Sequence, residues 1–311
     1  MSLRVFTDRR CLEHEVPPGF PELPKRLEVV IADLERAGMP IRETKGEHAE
    51  TDIAVEAVHD ARYVHRFQQA VLTGQAFIDT GDNPLSPGSW RAARAAVDAC
   101  LYAVDWVFDG AGRRGVVAVR PPGHHAERAM AMGFCYFNNV AIAAEYILRT
   151  KGSGRLAIID FDVHHGNGTQ HLFEDRGDIL YASIHQHPFY PGTGSASERG
   201  HGGGVGATVN VPLPAGCGDE TYEEVFRKVV LPSVRQFGPE TLLISAGFDA
   251  WQGDPVGGMQ VSEQAFRDWG VWLGQVADDL CDGRVLVTLE GGYDLEALGA
   301  LAVAHCQGLE G

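Results

Sequence analysis

Two carboxylates and two imidazoles crowd the end of one apolar run, Ile158-Ile159-Asp160-Phe161-Asp162-Val163-His164-His165, and Gly166-Asn167-Gly168 follows. A strand buried on both faces of a parallel sheet has little use for such groups in its interior. At its carboxyl end, where open α/β sheets form ligand sites, they are what a divalent metal needs. Alternate side chains of a strand share a face, so Asp160, Asp162 and His164 can project together. Asp162 and His164 combine oxygen and nitrogen donors, a mixture suited to zinc and similar transition ions. The segment reads as the centre of a metal-dependent hydrolase.

Such a centre needs other segments to complete it, and the remaining apolar runs supply them. Gly115–Arg120, Leu156–Asp160, Ile179–Ile184, Thr241–Ser245 and Val285–Leu289 read as strands. Helical patterns lie between them at Pro24–Met39, Ser89–Phe108, Asn139–Thr150, Thr221–Phe237, Ser262–Cys281 and Leu295–Cys306. Alternating strands and helices predict an α/β fold with a mainly parallel central sheet flanked by helices on both faces. Each strand then runs into polar residues and glycine. These are Pro121-Pro122-Gly123-His124-His125, the Asp160–Gly168 segment, His185-Gln186-His187-Pro188-Phe189-Tyr190, Gly247-Phe248-Asp249 and Glu290-Gly291-Gly292-Tyr293. In a parallel sheet all five ends share one edge, so the segments can converge on one pocket. Nothing divides the 311 residues, so one domain spanning 1–311 is expected. Gly200–Gly206 reads as a flexible loop within it.

A hydrophobic share of 44% and a charged share of 22% are those of a soluble globular protein with a large core. Charge balances at 26 − 42 = −16. So acidic a surface disfavours nucleic acid and anionic membrane and favours cationic partners, though it also serves plain solubility. No stretch reaches membrane-spanning length, and the six cysteines form no CxxC pair. A cytoplasmic protein with reduced thiols is the expectation.

Five blocks together resemble the histone deacetylase family, including its bacterial amidohydrolases with the single-domain arginase/deacetylase-type fold. They are Arg120–Ala126, Gly133–Asn139, Asp160–Gly168, Ser245–Ala250 and Glu290–Tyr293, in the family's order across nearly the whole chain. Asn167 makes class II the closer pattern. The resemblance implies removal of an acetyl or related acyl group from a lysine-like amine. It assigns Asp162, His164 and Asp249 as ligands of zinc, with ferrous iron as the alternative, leaving one position open. The metal would acidify water and polarise the amide. His124 and His125 become the acid/base pair, His125 the main base, partnered by Asp160 and Asn167 respectively. Tyr293 becomes the oxyanion donor. Gly133, Phe134, Tyr190 and Gly292 would line the substrate tunnel, with Tyr190 where phenylalanine is common, and Asp82 would hold the substrate at the rim. A structural potassium would sit at Asp160, Asp162, His164 and Ser183.

The partner is then an acylated lysine side chain or an acylated small amine; the oligomeric state stays open. Acetylpolyamine deacetylation is the nearest alternative, and Val256, where polyamine enzymes place an acidic residue, speaks against it. An arginase-like binuclear hydrolase would need a second carboxylate set where His124 and His125 stand. A non-catalytic acyl-lysine binder would need neither proton shuttle nor oxyanion donor. Other residues carry plainer readings: His165 satisfies local backbone, His185 and His187 are wall residues, and Cys135 packs. His14 and Phe20 lie in a loop near the rim.

Overall fold

A computed structural model describes residues 2–110 and 112–311; Met1 and Ala111 lie outside the described residues. Eight strands form one sheet: β1 (Leu3–Thr7), β2 (Ile41–Glu43), β3 (Arg114–Val117), β4 (Leu156–Asp160), β5 (Ile179–Gln186), β6 (Thr208–Leu213), β7 (Thr241–Ala246) and β8 (Val285–Leu289). Their order is β2-β1-β3-β8-β7-β4-β5-β6, and every pairing is parallel. β4, β7 and β8 are buried along their whole length, which is why each is a nearly continuous apolar run. β1, β2 and β6 add to the five expected strands. β2 is a three-residue edge, and β6 holds Pro212, which a strand tolerates at an edge and which obscures its pattern.

The helices are α1 (Lys25–Arg36), α2 (Thr51–Val58), α3 (Ala61–Leu72), α4 (Ser89–Phe108), α5 (Asn139–Thr150), α6 (Asn167–Phe173), α7 (Asp219–Val225), α8 (Leu231–Phe237), α9 (Glu263–Leu280) and α10 (Leu298–Glu310). The alanine-rich α4 packs against β1, β3 and β8, with α5 beside it; α9 packs on β7 and α10, and α10 on α1. Between α7 and α8 the chain makes a π-helical turn over Phe226–Val230, just before Pro232. Pro232 lacks the N–H a regular turn requires, and the wider turn carries the helix across it. The glycine segment near residue 202 is a short 3₁₀ turn, tied down where His201 N–H donates to the Glu174 carbonyl (2.7 Å). Among the described residues no helix is long and apolar enough to cross a membrane.

β8, β7 and β4 are adjacent, so their carboxyl ends bring Glu290, Asp249 and Asp162 to the middle of one edge. β3 delivers His124 and His125 from one side, and β5 delivers Phe189 and Tyr190 from the other. A buried ion cluster closes this edge from the N-terminal side. Arg120 Nη2 and Arg26 Nη1 donate to the Glu22 carboxylate at 2.8 and 3.0 Å. Arg120 also donates to the carbonyls of Cys11 (3.0 Å) and His14 (2.6 Å), stitching the N-terminal loop to the end of β3. Burial alone would raise the Glu22 carboxyl, but the charges of Arg120 and Arg26 hold it down at about 2.

Removing one member of such a buried pair leaves charge unpaired, which costs about 3–5 kcal/mol. Glu22→Ala is therefore expected to lower unfolding stability by about that amount, read as a shift in denaturant midpoint. Because the folded carboxyl lies below its ordinary value of 4.5, its contribution holds above that pH and is lost as pH falls towards about 2. A midpoint unchanged by Glu22→Ala at pH 7 would show that the cluster is not a fastener.

Candidate active site

β4 ends at Asp160, and residues 161–164 continue as a bent segment rather than as strand. Side chains hold the bend: Asp162 N–H donates to Asp160 Oδ1 (3.2 Å), and His164 N–H donates to Asp162 Oδ1 (2.8 Å). The Asp249 carboxylate joins from β7, accepting the Val163 N–H at Oδ1 (2.9 Å), while Gly291 N–H donates to Asp162 Oδ2 (2.8 Å). His164 Nδ1 then lies 3.0 Å from Asp162 Oδ1 and 3.2 Å from Asp249 Oδ2. All three side chains are buried, and they are the one group among the described residues whose ligand atoms fall within 4.8 Å of one another as a metal requires.

Three features of this group fit a divalent cation. Asp249 Oδ2 is buried without a hydrogen-bond partner, and such a lone pair is costly to leave unused. Burial, together with the neighbouring Asp162 charge, pushes the Asp249 carboxyl up to about 7, a shift that a bound cation would oppose. Burial opposes the Asp162 charge too, but His124 and His164 hold that carboxyl well below its usual range. Finally, Gly291 closes over the group: a Cβ there would lie 2.1 Å from Asp249 Oδ2 and 2.5 Å from Asp162 Oδ2. Only glycine leaves that space open.

His124 and His125 project from the loop after β3, whose turn is fastened because Glu290 Oε2 accepts the N–H groups of Gly123 (2.7 Å) and His124 (3.1 Å). The two rings are 4.0 Å apart between centroids, yet their partners differ. His124 Nδ1–H donates to Asp160 Oδ2 (3.0 Å), which also accepts the Tyr181 hydroxyl (3.0 Å). His125 Nδ1 meets Asn167 Oδ1 at 2.7 Å. Burial opposes a charge on His124, but Asp160 and Asp162 outweigh it and push the imidazole up to about 10. Burial and the His124 charge hold His125 well below its ordinary value. The expected hydrogen-bond pairs are thus both formed, and the two rings titrate far apart.

Tyr293 sits on the loop after β8, anchored where its N–H donates to Asp254 Oδ2 (2.7 Å). The Arg26 guanidinium lies 4.7 Å over its ring and donates to the carbonyls of Gly292 and Glu290, both at 2.6 Å. Burial keeps the phenol well above its usual pKa, hence protonated.

His124, His125, His164 and Tyr293 share one cavity of about 180 Å³. Phe134, Phe189, Tyr190 and Val256 make its apolar walls. Phe189 stacks on His164 (5.1 Å, 17°), and Tyr190 stands edge-on to His125 (5.1 Å, 89°). Phe134 holds a left-handed backbone (φ +67°), unusual for a bulky residue, and faces Tyr293. Gly133 is packed so close that a Cβ would lie 2.3 Å from His125 Cδ2. At the mouth, the Tyr190 hydroxyl donates to Asp82 Oδ2 (3.0 Å).

Some expectations are displaced. Gly292 does not line the cavity; its neighbour Gly291 does, because the Gly292 α-carbon faces Leu298 and Phe248. Phe20 reaches the Phe134 ring (6.1 Å), whereas His14 is buried against Ser89 and Tyr136, away from the cavity. His165 bonds the side chains of Thr193 (2.7 Å) and Gln170 (2.9 Å) rather than backbone. Cys135 is buried with its thiol on the Gly133 carbonyl (3.3 Å), and burial pushes it well above its ordinary value. Ser183 lies opposite Asp160 in the β4–β5 register, with its hydroxyl 2.9 Å from His185 Nδ1. The sequence pattern assigns no role to Arg26, Glu22, Glu127 or Asp254, and gives Glu290 only a place in the Glu290–Tyr293 block. The one available signal was Arg26 itself, a charge on the apolar face that Leu27, Val30 and Leu34 define on α1.

Comparison with known proteins places this geometry. The histone deacetylase domain profile matches residues 20–309. Histone deacetylase 15 of Arabidopsis thaliana is 40% identical over 97% of this chain, and the chain spans 56% of that protein. Polyamine deacetylase HDAC10 of Homo sapiens is 38% identical over 89% of this chain and is 43% covered by it. The crystal structure of the HDA15 HD domain superposes with a TM-score of 0.92 at 39% identity, over 99% of this chain and 88% of that one. The single domain has the arginase/deacetylase-type fold. Matched over nearly its whole length in both sequence and fold, the chain belongs to the histone deacetylase family.

Proposed function

We propose that this family hydrolase removes acetyl or related acyl groups from lysine-like amines. The observation that carries the reading is the single cavity shared by His124, His125, His164 and Tyr293, lined otherwise by apolar walls. Asp162, His164 and Asp249 would hold zinc, with ferrous iron as the alternative. When bound, the ion supplies Lewis-acid polarisation of the amide carbonyl and acidifies the attacking water. With Nδ1–H on Asn167, His125 presents Nε2 to accept the water's proton and then returns it to the departing nitrogen. His124, held cationic by Asp160, stabilises developing negative charge without exchanging a proton. The Tyr293 hydroxyl donates to the oxyanion of the tetrahedral adduct. The loop tethers from Asp254 and Arg26 fix that hydroxyl before substrate arrives.

The phenyl walls and Val256 suit an alkyl chain, and Asp82 at the mouth suits a donor on the substrate's far side. A donor reaching Asp82 shares it with the Tyr190 hydroxyl. Val256 offers no charge to a second ammonium, which favours a lysine-like substrate over the polyamines named for the human relative. The proposed potassium site, at Asp160, Asp162, His164 and Ser183, draws support from the β4–β5 register that sets Ser183 beside Asp160.

Tyr293→Phe is expected to keep its metal content and melting temperature while kcat falls on the order of 100-fold or more. Near-normal turnover by that variant removes the oxyanion role. Chelation is expected to abolish hydrolysis and lower the melting temperature, and stoichiometric zinc to restore both; ligand at about 100 times its Kd adds about 2.7 kcal/mol. Asp249→Ala should show neither the loss nor the recovery. A matched panel of acetyl-, trifluoroacetyl- and longer acyl-lysine peptides and acetylpolyamines then decides the substrate. Turnover of acetylpolyamines alone would replace the lysine assignment. Tight acyl-lysine binding without product would make the protein a binder.

A further inference from the structure

Behind His125 the hydrogen bonds continue outward beyond Asn167. Asn167 Nδ2 donates to Glu127 Oε1 at 2.6 Å, its shortest contact, with the His125 carbonyl and the Met132 sulfur farther away at 3.4 and 3.5 Å. The same Glu127 oxygen is 2.8 Å from His171 Nδ1 on α6. Glu127 itself is anchored through its backbone: its N–H donates to the Met130 carbonyl (3.0 Å), and its carbonyl accepts from His59 Nδ1 (2.9 Å). Its side chain is 20% exposed, whereas Asn167 is 2% exposed. The chain of contacts therefore runs His125, Asn167, Glu127, His171, from the cavity to the surface.

An asparagine amide has two ends of similar shape and opposite hydrogen-bonding sense. Facing His125 with its oxygen, Asn167 demands a proton on Nδ1 and leaves Nε2 as an acceptor. Facing it with its nitrogen, it demands the reverse, and the imidazole would turn a donor towards the cavity. The long contact from Asn167 Nδ2 to the His125 carbonyl (3.4 Å) favours the first but does not firmly decide between them. A carboxylate does, because it accepts hydrogen bonds and cannot donate one when ionised. With Glu127 on its far side, Asn167 must turn its nitrogen outward and its oxygen to His125. His171 strengthens this by adding a second donor to Glu127 and keeping the carboxylate in place. The bond from an amide N–H to a charged oxygen is also of the stronger, charge-assisted kind.

We propose that Glu127 is a positioning residue that sets the tautomer of His125 by fixing the amide orientation of Asn167. This rests on the proposed function for its kinetic consequence only, since the tautomer is a property of the protein itself. Where the hydrolase reading gives His125 a base at Nε2, Glu127 is what keeps that nitrogen free to act.

The test uses the zinc-loaded full chain with ¹⁵N-labelled histidine. Two-bond proton–nitrogen spectra report which ring nitrogen of His125 bears the proton, the resonance being identified by its loss in His125→Ala. Wild type is expected to show Nδ1–H alone. Glu127→Ala should give mixed tautomers and a kcat lowered about tenfold or more, with KM, zinc content and melting temperature nearly unchanged. Glu127→Gln fills the same space but can donate as well as accept, so it too should give mixed tautomers and a lowered kcat. A merely structural Glu127 would change melting temperature and leave tautomer and kcat alone, which overturns the proposal. So would a fall in kcat with Nδ1–H intact. If the tautomer shifts as expected but wild type hydrolyses no acyl-amine, the positioning role stands and the functional reading fails.

Discussion

Four carboxylates, Asp160, Asp162, Asp249 and Glu290, are fully withdrawn from water at the ends of three adjacent strands. Removing ionised carboxylates from water is expensive unless each finds a counter-charge or a set of donors. His124 and His164 provide partial balance, and Asp162 keeps its charge against them. The remainder is shared out unevenly: burial pushes both Asp249 and Glu290 up to about 7. Glu290 finds relief in the N–H groups of Gly123 and His124. Asp249 has the Val163 N–H on one oxygen and no hydrogen bond on the other, which only His164 Nδ1 approaches, at 3.2 Å. The deficit is thus concentrated at one atom, beside His164 Nδ1, where a cation would remove it. A core built only to fold well has little use for this cluster, and it fits the proposed metal site.

Holding such a cluster together demands a frame that cannot relax away from it. Parallel pairing of β8, β7 and β4 fixes the spacing of the carboxylate-bearing ends, and the backbone N–H groups of Val163, His164 and Gly291 hold individual oxygens. Glu22 with Arg26 and Arg120 acts one layer out. Arg120 reaches back to the N-terminal loop, and Arg26 reaches forward to the carbonyls of Glu290 and Gly292. One buried carboxylate therefore couples the end of β3, which carries the histidines, to the loop that carries Tyr293. The groups that must cooperate arrive on different strands, and this cluster fixes their relative position.

That division explains what could be read from the chain. β4 and β8 occupy the expected runs residue for residue, because a strand buried on both faces is nearly continuously apolar. The candidate site was legible where polar groups interrupt burial, as in Asp160, Asp162 and His164 at the end of such a run. β6 was not, since an edge strand with Pro212 and half-buried positions has no comparable pattern. The supporting residues were hidden for a further reason. Glu22, Glu127 and Asp254 act through contacts formed across 98, 40 and 39 residues of chain, and a lone acidic residue in a loop has the same appearance whether solvated or buried. Gly292 illustrates the finer limit: in a Gly-Gly pair, which member faces the cavity depends on backbone torsion that identical residues do not encode.

The histidine pair shows how far environment separates neighbours of one type. His124 and His125 are adjacent in sequence, both buried, with ring centroids 4.0 Å apart. Two imidazolium charges at that distance would repel strongly in so dry a place, so at most one is held charged. Which one is decided by the partner at Nδ1. Asp160 gives His124 a counter-charge and Asn167 gives His125 only a dipole. The first ring thus settles as the cation, and its charge in turn keeps the second neutral. Replacing the amide by a carboxylate would weaken this asymmetry, since both rings would then have a claim to the proton. In the proposed hydrolase, the asparagine would separate an electrostatic role from a proton-accepting one, using two copies of one side chain.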